Sequence, residues 1–196
     1  NEAHGWSLTA DWDITETLSA RGIYSDRKSE YTAGLDDDSV EDVLFQYPEA
    51  GFADQKSAKY QLLGDYDAWD FVGGLYYFKE EGANGQFPNF FLGGPGTFLL
   101  SQETKSKAIY GNVGYHVNDR LRLSGGLRYT KDDKEASINI NDSLIEESND
   151  RDWNETSWEL QASWDMNNGM NLYGTIQNGY QSGQFPPSHY CLFGSL

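Results

Sequence analysis

The sequence predicts an all-β fold, an antiparallel meander of about eight strands, and three observations support it. Apolar and polar residues alternate with period two over most of the chain, as in strands with one apolar face. Short and long connections alternate between these segments along the chain. Helical periodicity and capping boxes are not persuasive anywhere in the sequence. The predicted strands are residues 5–13, 15–25, 55–66, 69–78, 107–117, 120–130, 156–166 and 169–185.

The alternation is clearest in residues 120–130. Leucine, glycine and tyrosine occupy the odd positions from Leu121 to Tyr129, whereas arginine, serine, glycine and threonine occupy the even ones. The last segment, GMNLYGTIQNGYQSGQF, places Leu172 and Ile176 back to back with a polar register that includes Gln177. Because side chains alternate across a strand, each such segment presents one face to an apolar medium and the other to a wet one.

The connections predict different structures at the two ends of the strands. Short connections near residues 13–14, 66–68, 117–119 and 167–169 are typical of tight hairpins. Longer segments that contain glycine, proline and acidic runs are predicted to be loops. The predicted long loops cover residues 29–54, 82–101 and 136–152.

Aromatic residues recur at both ends of the predicted strands. In three strands a tyrosine follows an apolar residue by eight positions, a distance of about 26 Å along a strand and about 20 Å of height at a tilt of about 40°. Two aromatic belts at this separation indicate a transmembrane β-barrel, because indole and phenol rings favour headgroup depth. The residues predicted to lie at the membrane interfaces are Trp6, Trp12, Tyr24, Tyr60, Tyr66, Trp69, Tyr77, Tyr115, Tyr129, Trp158, Trp164 and Tyr180.

Composition narrows the function classes. The net charge of −17 disfavours nucleic acid as a partner, and Cys191, the single cysteine, excludes an internal disulfide. The chain begins at Asn1 without a methionine or a signal peptide, which indicates a mature protein or a fragment. Eight strands could close a small barrel, but both termini would then lie on the long-loop side, whereas complete bacterial barrels begin and end at the other side. We therefore expect part of a larger barrel, which in isolation would be an open curved sheet.

Four segments resemble one family. GLRYTKDDKEA at residues 126–136 and NLYGTIQNGYQSGQF at residues 171–185 are similar to signatures of TonB-dependent outer-membrane receptors. VGGLYYFKEE at residues 72–81 and WSLTADWDI at residues 6–14 are similar to other strands of that family, in the same order. The resemblance implies a 22-stranded barrel in the bacterial outer membrane, closed by an N-terminal plug domain and energised by the inner-membrane TonB complex.

The resemblance also sets the expected domain limits. Residues 1–185 are predicted to be part of the receptor barrel, of which the plug and the remaining strands are not in this chain. Gln184 stands where the family usually has glycine, and Pro186 and Pro187 replace its usual continuation. Residues 186–196 lose the alternation and are predicted to be an irregular tail, a truncation or frameshift artefact.

The sequence contains no convincing catalytic constellation. The three histidines, His4, His116 and His189, are far apart, and no G-x-S-x-G elbow is present. The acidic run DDDSVED at residues 36–42 lacks the glycine and the final glutamate of an EF-hand loop and is interpreted as a solvated loop. We therefore expect no enzyme activity, no cofactor and no metal site.

The resemblance predicts transport instead. The ligand of such a receptor would be a scarce small molecule such as a ferric siderophore, cobalamin or an oligosaccharide. The other partners of the receptor would be outer-membrane lipid, the plug and TonB. Arginines on the lumen side could meet carboxylate or phosphate groups of the ligand, or they could pair with plug carboxylates. The predicted ligand-path residues are Arg21, Tyr76, Arg128, Gln177 and Gln181.

Two other functions fit the same pattern. An aromatic-rich, acidic β-sandwich could be a soluble carbohydrate-binding module, although its strands would be interrupted every 8–12 residues. A passive porin would have the same barrel without a plug. A kelch propeller also has a repeat near 50 residues, but each of its blades needs four strands.

Overall fold

The chain folds into one antiparallel sheet. The computed structural model describes residues 1–36, 46–89, 96–140, 145–166 and 169–183. Each strand is hydrogen-bonded to the next one along the chain, so that the first and last strands are the edges of an open sheet. The strands are β1 (Glu2–Asp13), β2 (Leu18–Asp36), β3 (Gln46–Asp65), β4 (Trp69–Asn89), β5 (Gly96–Asn118), β6 (Leu121–Ile140), β7 (Ile145–Met166) and β8 (Met170–Gln177). The predicted all-β meander of eight strands is confirmed.

Strands β2 to β7 are much longer than predicted. The β2–β3 ladder runs from the pair Leu18 and Gly64 to the pair Asp36 and Gln46. The predicted long loops at residues 29–54, 82–101 and 136–152 are therefore wrong over most of their length. Period-two alternation reports a difference between the media on the two faces, and beyond residue 26 of β2 both faces carry polar side chains. The backbone pairing continues there without a hydropathy signal.

The tight turns are held by local hydrogen bonds. Between β5 and β6 the Asn118 side-chain oxygen accepts hydrogen bonds from the backbone N–H groups of Arg120 and Leu121, both at 2.9 Å. Between β3 and β4 the Tyr66 N–H donates to the Trp69 carbonyl at 2.9 Å. Gly169, before β8, has a φ of 72°, a left-handed conformation that glycine adopts without steric cost. The acidic run at residues 36–42 lies, apart from Asp36, outside the described residues.

The two faces of the sheet differ in polarity. We call one the apolar face; it contains Leu8, Tyr60, Leu75, Leu127 and Leu160, which the register places on the same side. We call the other, which contains Lys59, Tyr76, Arg128 and Glu159, the polar face. Apolar-face side chains are largely uncovered: Leu75 is 56%, Leu160 59% and Ile176 69% exposed. Among the described residues, the buried hydrophobic side chains are Ala20, Ala108, Ala136, Ile138 and Ile140.

On the apolar face a continuous stretch carries no charge. We define the apolar band as the apolar-face residues between positions 6 and 12 of β1, 18 and 24 of β2, 58 and 64 of β3, 69 and 77 of β4, 109 and 117 of β5, 121 and 129 of β6, 156 and 166 of β7, and 170 and 176 of β8. Each is uncharged, and most are glycine, alanine, aliphatic or aromatic. Hence the chain exposes a wide apolar surface instead of burying it. In the described part of the chain, no helix is long and apolar enough to cross a membrane.

Eleven of the twelve aromatic residues predicted to lie at interfaces are exposed, from Tyr66 and Tyr77 at 36% to Trp12 at 68%. Trp69 stacks on Tyr66, with 4.6 Å between ring centroids. The position of Tyr180 was predicted wrongly, because β8 ends at Gln177 and the following residues leave the sheet.

Tyr180 lies on the polar face, where its hydroxyl donates to Asp132 Oδ2 at 3.1 Å. Nearby, Lys134 Nζ donates to the Gly183 carbonyl at 2.9 Å. The Asn178 side chain accepts a hydrogen bond from the Trp158 N–H and ends the ladder. Since the chain is no longer extended after Gln177, alternation does not determine the side on which Tyr180 lies.

Candidate ligand-facing wall

A cluster of two cations and two tyrosines lies on the polar face. The Arg128 guanidinium carbon is 5.4 Å from the ring centroid of Tyr76 and 5.7 Å from that of Tyr110. Lys59 Nζ is 5.9 Å from the Tyr110 ring centroid. Both distances for Arg128 and the one for Lys59 fall within the range of cation–π attraction. We call these four residues the cation–tyrosine cluster.

Strand register brings the cluster together. Tyr76 of β4 is the direct partner of Lys59 on β3, and Tyr110 of β5 is the direct partner of Arg128 on β6. Direct partners on one face have Cβ atoms about 5 Å apart, so long side chains meet without any loop. The cluster therefore spans four adjacent strands and is held by the backbone ladder.

A glycine makes room for one of the rings. A Cβ atom on Gly74 would lie 2.6 Å from the Tyr110 hydroxyl and 2.6 Å from the Tyr60 carbonyl. The Tyr110 side chain thus lies flat across β4, a position that any larger residue at 74 would block. Its hydroxyl is buried and, within the described part of the chain, has no hydrogen-bond partner.

Beside the cluster is an open groove of about 380 Å³. Arg128, Tyr110, Asn112 and Gln177 contribute to its lining. Asn112 Nδ2 donates to Glu159 Oε1 at 2.8 Å across β6, and the Arg128 Nε donates to the Thr130 hydroxyl at 3.0 Å. Neither Arg128 nor Lys59 forms a salt bridge within the ranges that the structure describes. The groove wall therefore offers one arginine without a salt bridge, the Glu159 carboxylate, aromatic faces and amide groups.

The five predicted ligand-path residues do not form one site. Tyr76 and Arg128 are in contact, and Gln177 lines the adjoining groove. Arg21 instead pairs with Asp11 on β1, so its charge is compensated. Gln181 follows the end of β8 and is exposed. Whether any of them meets a ligand remains a prediction.

Three residues at this groove were not predicted from the sequence: Tyr110 and Glu159, which line it, and Lys59, which lies beside Tyr110. Each lies in the polar register of its strand, so alternation was sufficient to place it on the correct face. What was missing was the height of each residue on its strand. Aligning the strands by their tight turns could have matched Tyr110 with Arg128.

A second polar contact lies near the tight turns. The Arg122 guanidinium of β6 reaches across β5 to Asp70 of β4, with Nη2 2.6 Å from Oδ2 and Nε 3.1 Å from Oδ1. A Cβ atom on Gly114 of β5 would collide with Arg122 Nη2. His116 Nε2 is 3.5 Å from the same carboxylate. His116 therefore lies on the polar face beside this ion pair.

The described residues contain no group of three or more His, Cys, Asp or Glu side chains that could hold a metal ion. Cys191, His189 and residues 184–196 as a whole, including the predicted irregular tail, lie outside the described part of the chain. The described side chains of the polar face offer charge, hydrogen bonds and aromatic contact.

Comparison with known proteins identifies the family. A family model described as the β-barrel of TonB-dependent receptor-like proteins matches residues 1–190. The chain belongs to the TonB-dependent receptor β-barrel family. This is a family of outer-membrane receptors and transporters, as the sequence motifs predicted. A search of curated proteins gave no match.

Solved structures of the family share the fold of this chain. The ferric yersiniabactin uptake receptor FyuA from Yersinia pestis superposes with a TM-score of 0.71 at 15% identity, covering 88% of this chain and 27% of that one. The siderophore receptor PiuA from Acinetobacter baumannii gives 0.69 at 15% identity, with coverages of 88% and 31%. The ferric-catecholate import receptor Fiu from E. coli K12, in its closed form, gives 0.69 at 13% identity, with coverages of 98% and 36%. The chain therefore spans about a third of the length of these receptors.

Proposed function

We propose that this chain is part of the wall of a TonB-dependent receptor that takes up a scarce small molecule across the outer membrane. In this proposal the other strands of a 22-stranded barrel, the plug and the segment that binds TonB belong to the rest of the full-length protein. One observation carries the proposal: the same strands have an exposed, uncharged band on one face and, on the other face, polar side chains that bridge neighbouring strands.

A lipid environment accounts for the apolar band. A contiguous exposed apolar surface of this extent is rare on soluble monomers and indicates a membrane or a partner. A soluble β-sandwich would cover such a face with a second sheet, and the described residues form a single sheet. The carbohydrate-binding module is therefore the weaker alternative. A passive porin has the same two faces, but the family match favours a receptor.

The cation–tyrosine cluster supports an anionic ligand. Arg128 and Lys59 have no carboxylate partner among the described residues, and an arginine beside tyrosine rings suits carboxylate, catecholate or phosphate groups. A ferric siderophore carries such groups on an aromatic or hydroxamate framework. We propose this ligand class before cobalamin or an oligosaccharide, with the groove beside Arg128 as one contact surface.

Localisation of the full-length protein tests the membrane part of the proposal. We expect the protein in the outer-membrane fraction, with a gel mobility that changes on heating because an unheated barrel stays folded in detergent. Recovery in the soluble fraction without detergent would contradict the proposal. A preceding plug-like domain of about 150 residues in the full-length sequence would distinguish a receptor from a porin.

Ligand uptake tests the second part. Cells in which the protein is the sole receptor are grown under iron limitation with a panel of ferric siderophores, and in parallel with cobalamin or oligosaccharides. We expect one ferric siderophore to restore growth, and Arg128→Gln to weaken its binding about tenfold. The matched control is Arg21→Gln, which removes a polar-face arginine that Asp11 already compensates. Equal binding by both variants would show that Arg128 pairs with the plug or with water instead.

A further inference from the structure

After β8 the chain folds back over the polar face. We call residues 178–183, which follow the last strand, the strap. At the start of the strap, the Asn178 N–H donates to the Trp158 carbonyl of β7 at 3.1 Å. At its far end, the Gly183 carbonyl accepts the hydrogen bond from Lys134 Nζ of β6 at 2.9 Å. The strap therefore crosses from β7 towards β6 and is fixed to the wall at both ends.

The far end of the strap lies against an aromatic ring. A Cβ atom on Gly183 would collide with the ring of Trp153 on β7. Lys134 Nζ is 5.7 Å from the centroid of the same ring, within the range of cation–π attraction. Gly183 thus allows a close approach of the strap to the wall that a larger residue would prevent.

The middle of the strap is held by a buried carboxylate. The Tyr180 hydroxyl donates to Asp132 Oδ2 at 3.1 Å. Asp132 is only 7% exposed, and its Oδ1 is buried without a hydrogen-bond partner among the described residues. Asp132 also forms no salt bridge in that part of the chain. Because a buried carboxylate is costly without donors, the Tyr180 hydroxyl is a contact that Asp132 strongly favours.

The strap forms one side of the groove beside Arg128. The wall contributes Arg128 and Glu159 to the lining of the groove, and the strap contributes Gly179 and Tyr180. The width of the groove therefore depends on how closely the strap is held to the wall. Asp132 is not among the lining residues, so it reaches the groove only through Tyr180.

We propose that Asp132 is a positioning residue, which through Tyr180 holds the strap at the distance from Arg128 at which an anionic group of the ligand contacts both strap and wall. The inference rests on the proposed function, because it takes this groove as a ligand contact surface. A ligand that contacts both sides binds more tightly when the strap is held, and by linkage it holds the strap in turn. Loss of the Tyr180–Asp132 hydrogen bond lowers the fraction of protein in which the groove is formed, and the apparent affinity falls by the same factor.

Binding to the full-length protein in detergent tests the proposal. The probes are the ferric complexes of a tris-catecholate, a tris-hydroxamate and an α-hydroxycarboxylate siderophore, and quenching of tryptophan fluorescence measures their binding. For the probe that the wild type binds, Asp132→Leu and Tyr180→Phe should each weaken binding by about three- to tenfold, because the strap keeps the contacts at its two ends. The double variant should bind no more weakly than either single variant, because both changes remove the same hydrogen bond.

Two further variants separate positioning from direct contact with the ligand. Asp132→Asn keeps an oxygen that accepts the Tyr180 hydrogen bond, and it should bind within about twofold of the wild type. The matched control is Tyr173→Phe, which removes the hydroxyl of a polar-face tyrosine of β8 that is 71% exposed and outside the groove lining. This control should bind like the wild type. Heat-dependent gel migration shows that the barrel of each variant has formed.

A spin label reports the position of the strap separately from binding. The label is attached to Ser182→Cys, on the partly exposed end of the strap, in a protein without other cysteines. Its mobility, measured by electron paramagnetic resonance, should rise in Asp132→Leu and Tyr180→Phe and stay low in Asp132→Asn. Binding of the probe to the wild type should lower the mobility further.

The outcomes separate this inference from the proposed function. Unchanged probe binding in Asp132→Leu and Tyr180→Phe, or a label mobility that responds neither to these changes nor to the probe, overturns the inference alone. Additive losses in the double variant also overturn it, as does a loss in Asp132→Asn equal to that in Asp132→Leu, because the carboxylate would then act on the ligand by its charge. A wild-type protein that binds none of the three probes overturns the proposed function and this inference together.

Discussion

The apolar and polar faces of this sheet are made by the same strands and are organised in different ways. On the apolar face, the contacts between large side chains are ring contacts near the turns and belts, such as Trp69 on Tyr66 and Phe71 over Gly64, whereas glycines such as Gly22 and Gly174 have open space above them. On the polar face, side chains lie across neighbouring strands, as Tyr110 does over Gly74 and Arg122 does over Gly114. Hydrocarbon can cover the first surface without specific partners, whereas polar groups need partners in fixed positions. The difference indicates that lipid, and not protein, completes the apolar face.

The largest effect should come from placing a charge on the apolar face. Leu160 and Gln161 are adjacent on β7 and lie on opposite faces, so Leu160→Arg and Gln161→Arg form a matched pair. In the full-length protein folded into phospholipid vesicles, Leu160→Arg should lower the free energy of unfolding by about 2–4 kcal/mol. Gln161→Arg should change it by at most about 0.5 kcal/mol. Denaturant titration measures both values, and equal losses would mean that the two faces do not meet different media.

Adding a methyl group to a glycine should distinguish the faces next. Gly74→Ala brings a Cβ atom against the Tyr60 carbonyl and the Tyr110 hydroxyl, and we expect a loss of about 1–3 kcal/mol in unfolding free energy. Gly22→Ala meets nothing within 4 Å and should be neutral or stabilising by up to about 1 kcal/mol. The same denaturant titration applies. A stabilising Gly74→Ala would show that Tyr110 does not lie across β4.

A smaller effect should appear within the cation–tyrosine cluster. A double-mutant cycle of Arg128→Gln and Tyr76→Leu should give a coupling energy of about 0.5–1 kcal/mol, because the guanidinium lies over a partly exposed ring. A second cycle, which combines Arg21→Gln with Tyr76→Leu, should give additive effects, because Arg21 contacts Asp11 instead. Additivity in the first cycle would argue against the contact.

The smallest effect concerns the pH dependence of unfolding, through a carboxylate of β5 that lies beyond the apolar band. Hydrogen bonds from Lys105 and Lys79 lower the pKa of Glu103 to about 2. Because the pKa is lower in the folded state, this carboxylate stabilises the fold at a pH above its unfolded value of about 4.3, and the stabilisation is lost as the pH falls towards 2. Glu103→Gln should therefore flatten the pH dependence of unfolding in this window. An unchanged profile would show that Glu103 contributes nothing measurable there.

Much of this organisation could be predicted from the sequence. Alternation placed Leu121, Leu123 and Leu127 on one face and Arg122 and Arg128 on the other, and the structure agrees. The turn residues Asn118 and Gly169 lie at hairpins, as expected. Alternation did not predict the full length of the strands. Beyond the apolar band both faces of a strand meet polar surroundings, so the sequence there shows no alternation of apolar and polar residues. Alternation failed again at Tyr180, where the chain leaves the sheet and period two no longer applies.

By itself the sequence determined which side chains face the apolar medium, because a strand has a period of two and the two media select different residues. The motifs in the sequence also identified the family to which the chain belongs. Only the tertiary structure decided the heights at which strands meet, because hydrogen-bond register depends on pairing between distant segments. That register puts Arg128 between Tyr76 and Tyr110, and Lys107 opposite Lys131. The proposed ligand-binding surface follows from this register.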